Sequence, residues 1–362
     1  MPDQTVFRWT SPITGTESLQ EFREPIPRPG PDDVVVAVRG VGVNYRDVAI
    51  ANRTYPLPIK QDLVPMADMA GRVVEVGARA AAAGLFAVGD AVIAISNTKL
   101  LYGSMTAEAA NSTLGGPIDG VLQEYVALPA HMLIKLPAPA PVQGSPQASS
   151  LVQWASFPGT GSTAWNTLYG NIPLKPGMTV VLQGTGGVSI MTLIMARAAG
   201  ATTIITSSSD EKLAYVKSTF GADHTINYKT HPEWGAEVQR LTGGRGADQV
   251  VDVGGLGTMR QSLAAVAYSG IISLVGFLAD EDEKKEPIDW LIPTLSRGVI
   301  LRGIMMGSKQ QTEEAVRFVV SRGLQLPVDR TFGFTRDEVI QALRYVEEGK
   351  QIGKVVITVG SD

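Results

Sequence analysis

The stretch Gly184–Ser189, which reads GTGGVS, has the residue types and spacing of a phosphate-binding turn. It follows a predicted strand and opens a predicted helix. Glycine at 184 allows the sharp turn, and the bare backbone at Gly186 can approach a pyrophosphate that the helix N-terminus then holds. Ser189 stands where G-x-G-x-x-G has its third glycine, and it is small enough for close helix packing. We therefore predict a dinucleotide site, with a plain structural turn as the alternative; its cofactor-binding residues are Gly184, Thr185, Gly186, Gly187 and Val188.

The end of the next predicted strand indicates which dinucleotide is bound. An NAD site usually places an acidic side chain there, about twenty residues beyond the first glycine. Here the chain has Ser207 and Ser208, followed by Lys212. Hydroxyls and a lysine suit a ribose 2′-phosphate, which a carboxylate at position 207 would repel. We therefore predict NADP(H) as the cofactor; the alternative is that the serines only cap the next helix.

The absence of cysteine removes several kinds of chemistry at once. The chain has 362 residues, no Cys, three His and a net charge of −4. Without Cys there is no disulfide framework, thiolate nucleophile or cysteine-ligated metal, which fits a reducing, cytoplasmic compartment. His131, His224 and His231 are not at metal-binding spacing, so no metal is expected. The mild acidity argues against a nucleic-acid partner, and no apolar run approaches the roughly 20 residues of a membrane span.

Two kinds of patterning divide the chain. Short β-branched runs in the first third, bounded by Gly, Pro and Asp, predict strands of a compact barrel or sandwich at 33–38, 71–77 and 89–94. From Trp154 onward, strands alternate with helices, which predicts a doubly wound parallel sheet. Its predicted strands are 178–183, 202–206, 225–227, 249–253 and 271–275, and its predicted helices are 189–199, 211–219, 233–241 and 259–268.

The C-terminal segment returns to the first style, with helices and then a strand predicted at 312–321, 336–348 and 354–359. We interpret it as rejoining the first domain, which gives one domain of residues 1–153 and 310–362 and an inserted dinucleotide-binding domain of residues 154–309. A third small unit is the alternative, and about fifty residues could support it only marginally. Three further segments are predicted as a surface loop, a linker and a solvated loop: 96–120, 137–148 and 280–286.

A set of short segments, in order along the chain, resembles a known family. They are 42–47 (GVNYRD), 65–71 (PMADMAG), 89–92 (GDAV), 159–165 (GTGSTAW), the Gly184 turn, 221–223 (GAD), 227–228 (NY) and 353–356 (GKVV). Over nearly its whole length the chain is similar to the medium-chain dehydrogenase/reductase superfamily, and within it to the zinc-free quinone-reductase and enoyl-reductase branches. The resemblance implies an α/β fold in which a GroES-like β-rich catalytic domain carries an inserted Rossmann domain.

Departures from the zinc-dependent relatives concern the metal ligands. The resemblance places a Cys of those relatives at Asn44, a His at Ala67, an acid at Asp68 and a second Cys near Gly159. Only Asp68 remains, and one carboxylate cannot hold a catalytic zinc, which needs about three protein ligands. Hydrogen-bond donors and a general acid would then have to stabilise the charge that builds up on the substrate.

The resemblance also implies roles for individual residues. Asn44 and Tyr45 would approach the nicotinamide, and Tyr55 is similar to the proton donor of mitochondrial-type enoyl reductases; these three are the predicted catalytic residues. Tyr228 would lie against the 2′-phosphate, and Lys354 near the cofactor cleft, so both join Asn44 among the cofactor-binding residues. The alternatives are ordinary packing of Tyr55 beside Pro56 and a post-strand aromatic at Tyr228.

A charge set and an interface complete the expectations. In the charge set Asp68 would orient Arg46 or act as an acid, with Asp47 nearby; a purely architectural ion pair is the alternative.

The edge formed by 271–275 and 299–302 is the one through which the family joins two Rossmann sheets, so the resemblance implies a homodimer.

Three functions fit these residues. The first is NADPH-dependent, zinc-independent hydride transfer to an activated C=C bond of a small-molecule enone, quinone or enoyl substrate. The second is metal-free reduction of a carbonyl. The third is a cofactor-binding protein with a non-redox role in a pathway. Substrate identity depends on loops whose shapes composition does not reveal.

Overall fold

The chain divides into two compact units. A computed structural model describes residues 2–137, 149–279 and 289–360. The predicted solvated loop at 280–286, and the predicted linker at 137–148 apart from Pro137, lie outside the described residues. Residues Met1–Ser162 and Ser308–Asp362 form one unit, here called the β-rich unit, and Thr163–Gly307 form the other, here called the Rossmann unit.

The first part of the chain forms mostly strands, and the middle part alternates strands with helices. Those that precede the Rossmann unit are β1 (Asp3–Trp9), β2 (Leu19–Pro25), β3 (Asp33–Val43), α1 (Tyr45–Ala51), β4 (Asp68–Val76), α2 (Ala78–Ala82), β5 (Ala91–Ala94), α3 (Ala107–Ala110), β6 (Tyr125–Pro129), β7 (Leu133–Lys135) and α4 (Leu151–Trp154), followed by α5 (Phe157–Tyr169), which runs across the boundary. The Rossmann unit continues with β8 (Thr179–Gln183), α6 (Gly187–Ala198), β9 (Thr202–Ser207), α7 (Asp210–Phe220), β10 (His224–Asn227), α8 (Trp234–Leu241), β11 (Ala247–Asp252), α9 (Leu256–Ala265), β12 (Val266–Leu274), α10 (Leu291–Arg297) and β13 (Ile300–Gly303). The last elements are α11 (Lys309–Ser321), β14 (Val328–Phe332), α12 (Arg336–Glu347) and β15 (Lys354–Thr358).

The β-rich unit is organised around the long strand β3. Among the described residues its main sheet has the order β14-β15-β3-β4-β5-β7, with β6 also paired to β3, and β1 and β2 form a separate antiparallel pair. Nine of the eleven residues of β3 are buried, and the two that are only partly buried are Asp33 and Arg39, so the strand is covered on both faces. The C-terminal strand β15 pairs antiparallel with β3, Val355 opposite Val43, so the tail of the chain rejoins the first domain.

The Rossmann unit has a parallel sheet covered by helices. Its strand order is β10-β9-β8-β11-β12-β13, which is the 3-2-1-4-5-6 order of a dinucleotide-binding fold. The core of this sheet is formed by apolar residues of the predicted strands, among them the fully buried Val181, Ile204 and Val250. The predicted fold class is therefore confirmed: a GroES-like unit with an inserted, doubly wound parallel sheet.

Both boundaries between the units differ from the predicted ones. The first lies after Ser162, nine residues beyond residue 153 (162 − 153 = 9), and the second lies after Gly307 rather than 309. The first shift arises because α4 packs against β3, β4 and β15, and because Gly159 in α5 approaches Asp68. The sequence places the boundary earlier because the change in patterning begins at Trp154.

One predicted helix is wrong at its end. The pattern predicts a helix over 259–268, but α9 ends at Ala265 and β12 begins at Val266. Val266 pairs with Ala247 of β11, so residues after 265 enter the parallel ladder. The helical periodicity is misleading here because aromatic and β-branched residues fit a strand well.

The segment 96–120 is irregular, as predicted, but it is not a surface loop throughout. Asn97, Thr113 and Leu114 are buried. The Asn97 side chain donates to the Ala109 carbonyl and to Thr113 Oγ1 at 3.0 Å, and its oxygen accepts from the Leu100 N–H at 2.9 Å. The buried Asn97 amide thus joins the start of this segment to residues near 109 and 113. Within the described ranges, no helix has both the length and the apolarity needed to cross a bilayer.

Candidate functional site

The glycine turn of the Rossmann unit joins a buried strand to a helix. Strand β8 ends at Gln183, Gly184 has a φ of +68°, and α6 begins at Gly187. A Cβ added at Gly184 or Gly186 would meet no atom within 4 Å, so the outer side of the turn is open. The first N–H groups of a helix have no partner within the helix. The open backbone and the N-terminus of α6 together fit the pyrophosphate of a dinucleotide.

Ser189, the departure from the glycine motif, has a defined place. It is buried, and its hydroxyl donates to the Gln183 carbonyl at 2.7 Å. The side chain therefore closes the turn from below instead of obstructing the packing of α6 on β8. A serine at this position stabilises the same backbone shape that a glycine would permit.

A buried carboxylate, which the sequence analysis did not single out, connects the turn to the neighbouring strand. Asp252 ends β11 and is fully buried. It accepts from Gln183 Nε2 at 2.9 Å, from the Ser262 hydroxyl at 2.5 Å and from the Gly255 N–H at 2.7 Å. Gln183 also accepts from the Val253 N–H at 3.2 Å. The carboxyl ends of β8 and β11 are thereby held together directly beneath the glycine turn.

The predicted 2′-phosphate residues gather at the ends of β9 and β10. Ser207 is the last residue of β9, Ser208 follows it, and the Tyr228 N–H donates to the Ser207 carbonyl at 3.0 Å. Ser209, rather than Ser207 or Ser208, caps α7 by accepting from the Lys212 N–H at 3.2 Å. The helix-capping alternative therefore applies to Ser209, and it leaves the hydroxyl of Ser208 without a capping role.

The nearest acid, Asp210, is engaged by another side chain. Its carboxylate accepts from Asn227 Nδ2 at 2.8 Å, in the first turn of α7. An acid in the first turn of a helix is stabilised by the helix dipole. Asp210 thus has a structural explanation that does not require a ribose hydroxyl.

A second polar group of side chains lies in the β-rich unit, where three strands begin or end side by side. Asn44 follows β3, Asp68 begins β4 and Lys354 begins β15; we call these three residues the Asn44 cluster. Pairing of β3 with both neighbours places Gly42 opposite Asp68 and Val43 opposite Val355. Residues that are far apart in the chain are therefore brought together by strand register.

In the Asn44 cluster each of the three side chains is hydrogen-bonded to the other two. Asn44 Nδ2 donates to Asp68 Oδ2 at 2.9 Å. Lys354 Nζ donates to the Val43 carbonyl at 2.7 Å, to Asn44 Oδ1 at 2.9 Å and to Asp68 Oδ2 at 3.2 Å. The hydroxyl of Ser96 donates to Asp68 Oδ1 at 3.1 Å. Asp68 and Lys354 are almost completely buried, so this ion pair is shielded from solvent.

The residues of the Asn44 cluster do not fit a zinc ion. Of the positions that hold ligands in metal-dependent relatives, only Asp68 keeps an acid, and the Lys354 ammonium stands within hydrogen-bonding distance of Asp68 and of the Asn44 carboxamide. A Cβ at Gly159 would lie 2.8 Å and 2.9 Å from the two Asp68 carboxylate oxygens, so a larger side chain there would require Asp68 to shift. Among the described residues, no three His, Cys, Asp or Glu side chains are grouped to hold a metal.

The predicted charge set of Arg46 and Asp68 is wrong. Arg46 Nη2 donates to the Leu114 carbonyl at 2.7 Å, and Asp68 instead binds Lys354, Asn44 and Ser96. Local sequence placed Arg46 two residues from Asn44, but the partner of Asp68 comes from a strand near the C-terminus. Strand pairing supplied a closer cation than local sequence did.

Asp47 is a buried carboxyl beside the cluster. Its Oδ2 accepts from the Asn44 N–H at 2.8 Å, and its Oδ1 is buried without a hydrogen-bond partner. Burial raises the pKa of Asp47 to about 6, despite the opposing charges of Arg46 and Lys354. Asp47 fixes the start of α1, and with it the backbone of Asn44.

The two predicted tyrosines take different positions around α1. Tyr45 is its first residue and is 43% exposed. Tyr55 lies in the loop after α1, and its N–H donates to the Ala49 carbonyl at 3.2 Å. Helix α1 is seven residues long, or about 10 Å. The structure thus places Tyr45 next to Asn44 and the backbone of Tyr55 at the opposite end of the helix.

Two family models match successive parts of the chain. A model described as alcohol dehydrogenase GroES-like domain matches residues 30–138, and one described as zinc-binding dehydrogenase matches residues 187–321. A GroES-like unit that carries an inserted dinucleotide-binding sheet defines an oxidoreductase of the alcohol dehydrogenase type.

Whole-chain relatives extend this comparison. A zinc-type alcohol dehydrogenase-like protein of Schizosaccharomyces pombe is 37% identical over 350 residues, which are 96% of this chain and 97% of that protein. A quinone oxidoreductase-like protein 2 homolog of Nematostella vectensis is 26% identical over 345 residues, 91% of this chain and 82% of that protein. A solved NAD-dependent alcohol dehydrogenase is 29% identical, with a TM-score of 0.82 and coverage of 98% of this chain and 100% of that one. The chain belongs to the medium-chain dehydrogenase/reductase superfamily, as the resemblance of its segments indicated.

Proposed function

We propose that this protein is a zinc-independent reductase that uses NADPH to reduce an activated C=C bond of an enone, quinone or enoyl substrate. The observation that carries the proposal is the Lys354 ammonium, which stands among the side chains at the metal-ligand positions. The carboxamide can donate a hydrogen bond to a developing oxyanion, whereas a single carboxylate beside an ammonium provides too few ligands for a metal. The quinone oxidoreductase-like relative supports this substrate class.

The Rossmann unit would bind the cofactor through its backbone and a few hydroxyls. The bound NADPH supplies the hydride. The turn at Gly184 to Val188 and the N-terminus of α6 hold the pyrophosphate, while Ser207, Ser208, Lys212 and Tyr228 hold the 2′-phosphate. Engagement of Asp210 by Asn227 supports NADPH over NADH, whereas the NAD-dependent relative favours the reverse. Fluorescence titration with both nucleotides distinguishes them: the proposal requires the tighter binding for NADPH and loss of that preference in Ser207→Asp.

The β-rich unit would act on the substrate. Hydride arrives at the β-carbon, the C=C electron pair moves toward the carbonyl, and negative charge develops on the carbonyl oxygen. Asn44 would donate a hydrogen bond to that oxygen, with Tyr45 as its neighbour in the chain. The hydroxyl of Tyr55 delivers a proton to the α-carbon and is reprotonated from water. Unchanged turnover in Tyr55→Phe would remove Tyr55 from this scheme.

Deuterium transfer from NADPH labelled at the nicotinamide C4 tests the reaction. Label on the carbon β to a surviving carbonyl supports the proposal. Label on a carbinol carbon supports reduction of a carbonyl, the second candidate, which the alcohol dehydrogenase-like relatives favour.

Tight NADPH binding without oxidation across a broad acceptor panel supports the third candidate, a non-redox binding role. Full activity after metal removal, with no stoichiometric zinc in the purified protein, tests zinc independence.

We also propose that the protein forms a homodimer through the edge of the Rossmann sheet. Strand β13 ends the sheet, and the adjacent helix α10 has no buried residue. Its exposed side chains are apolar: Leu291, Ile292 and Leu295, with Trp290 just before it. Large exposed apolar surface of this kind marks an interface. Light scattering that shows only monomer at micromolar concentration would refute the dimer.

A further inference from the structure

The side-chain amide of Asn44 has a different partner at each end. Its oxygen accepts from the Lys354 ammonium at 2.9 Å, and its nitrogen donates to Asp68 Oδ2 at 2.9 Å. An ammonium can only donate and an ionised carboxylate can only accept. Turning the amide by 180° would therefore lose both bonds and face like groups toward each other. The two neighbours select one orientation of the amide.

All three hydrogen-bond donors of the Lys354 ammonium have acceptors within the protein. An ammonium has three N–H donors, and Lys354 has three acceptors, namely the Val43 carbonyl, Asn44 Oδ1 and Asp68 Oδ2. The side chain is 5% exposed. A contact between Lys354 and a cofactor would require one of these bonds to break, so the geometry favours a role through Asn44.

The same contacts change the amide chemically. Of the two Nδ2 hydrogens of Asn44, one is directed to Asp68, and the half-buried residue retains the other. The Lys354 ammonium, which donates to the amide oxygen, draws electron density from the nitrogen and so strengthens the remaining N–H as a donor. A fixed donor costs no reorganisation when charge develops on the substrate.

We propose that Lys354 is a positioning residue: together with Asp68 it fixes and polarises the Asn44 amide, so that the second Nδ2 hydrogen is held ready for the oxygen on which charge develops. The use of that hydrogen rests on the function proposed above, but the orientation of the amide does not. Lys354 acts here on a carboxamide, in the place where zinc-dependent relatives have a metal and its ligands.

Selective ¹⁵N-asparagine labelling tests the orientation without any turnover. The Asn44 side-chain signals are assigned by their disappearance in Asn44→Ala. In the wild type we expect one of the two N–H signals to exchange with solvent about tenfold more slowly than exposed amides, which corresponds to a hydrogen bond of ordinary strength. Lys354→Met should shift both signals, because it removes the cation from the amide oxygen, whereas Lys350→Met, an exposed lysine four residues earlier, should leave them unchanged.

A double variant that removes the charges of both Lys354 and Asp68 guards against misfolding of the single variant. Lys354→Met alone leaves the Asp68 carboxylate buried without its cation, which is strongly destabilising. The double variant Lys354→Met, Asp68→Asn has no unpaired buried charge and serves if the single variant does not fold. Wild-type Asn44 signals in either folded variant would overturn the proposal.

Kinetics then separate positioning from a structural or cofactor-binding role. We expect kcat to fall about 10- to 100-fold in the double variant, less than the roughly 100- to 1000-fold loss on removal of an oxyanion donor because Asn44 itself is retained, with the NADPH Kd changed less than about threefold. In the Asn44→Ala background the same substitutions should have little further effect, because Lys354 acts through Asn44. A weakened NADPH Kd with unchanged kcat, or full additivity with Asn44→Ala, would overturn the proposal. Lack of turnover by the wild type refutes the proposed function instead, and the labelling result still decides the orientation.

Discussion

The glycine turn of the Rossmann unit is formed by backbone groups, whereas the Asn44 cluster of the β-rich unit is formed by side chains. The turn presents backbone N–H groups and open space, and all of its residues are consecutive. The cluster presents side chains from the ends of three strands, 24 and 286 residues apart for the contacts of Asp68 with Asn44 and Lys354. A backbone site tolerates any change that leaves the space empty. A side-chain site depends on the balance of its buried charges.

Removing one charge of the Asn44 cluster is expected to have the largest effect. Asp68→Ala leaves the Lys354 ammonium buried without its carboxylate, so the free energy of unfolding should fall by about 3–5 kcal/mol. Urea unfolding followed by circular dichroism measures it. The control, Asp32→Ala, breaks an exposed ion pair with Arg79 and should change stability little. Equal effects of the two substitutions would contradict the importance of burial.

The pH dependence of stability probes the buried carboxyl next to the cluster. The pKa of Asp47 is raised from 3.8 to about 6, so between these values the folded protein binds more protons than the unfolded chain. This group therefore makes the unfolding free energy fall as pH rises from about 4 to 6, by about 3 kcal/mol in total, and contributes no further change above that. Asp47→Asn should remove this fall. Parallel stability curves for wild type and variant across this window would refute the assignment.

Filling the open space of the turn should affect binding without affecting folding. A Cβ at Gly186 meets no protein atom within 4 Å, and the φ of Gly186 is −76°. We expect Gly186→Val to keep the wild-type melting temperature and to weaken NADPH binding about 100-fold, roughly 2.7 kcal/mol, because the side chain occupies the path of the pyrophosphate. Gly303→Val is the matched control, since its Cβ is equally free. Unchanged NADPH affinity in Gly186→Val would remove the turn from the binding site.

The smallest expected effect separates capping from phosphate binding. Ser209 caps α7, so Ser209→Ala should lower the free energy of unfolding by about 1 kcal/mol. The preference for NADPH over NADH should stay the same, because Ser207 and Ser208 are retained. A lost preference in Ser209→Ala, measured by fluorescence titration, would transfer the phosphate-binding role to Ser209.

The difference between the two sites also explains what the sequence could predict. The turn was predictable because strand, glycines and helix are adjacent, and local spacing encodes their geometry. The partner of Asp68 was not, because it depends on the register of β15 against β3, and local reasoning chose Arg46 instead. Asp252 was missed for a similar reason: its partners Gln183 and Ser262 meet it only once parallel strands pair. The predicted Lys354 position near the site needed the family resemblance.

The contact between Gly159 and Asp68 limits how this protein can change over evolutionary time. A side chain at 159 would bring its Cβ to 2.8 Å and 2.9 Å from the Asp68 carboxylate oxygens, so Asp68 would have to shift. Replacing Asn44 alone would leave the Lys354 ammonium without one of its acceptors, and removing Lys354 alone would strand Asp68. Each first step toward a metal site is therefore unfavourable by itself. The residues around Asn44 are therefore expected to change only through coordinated substitutions at several positions.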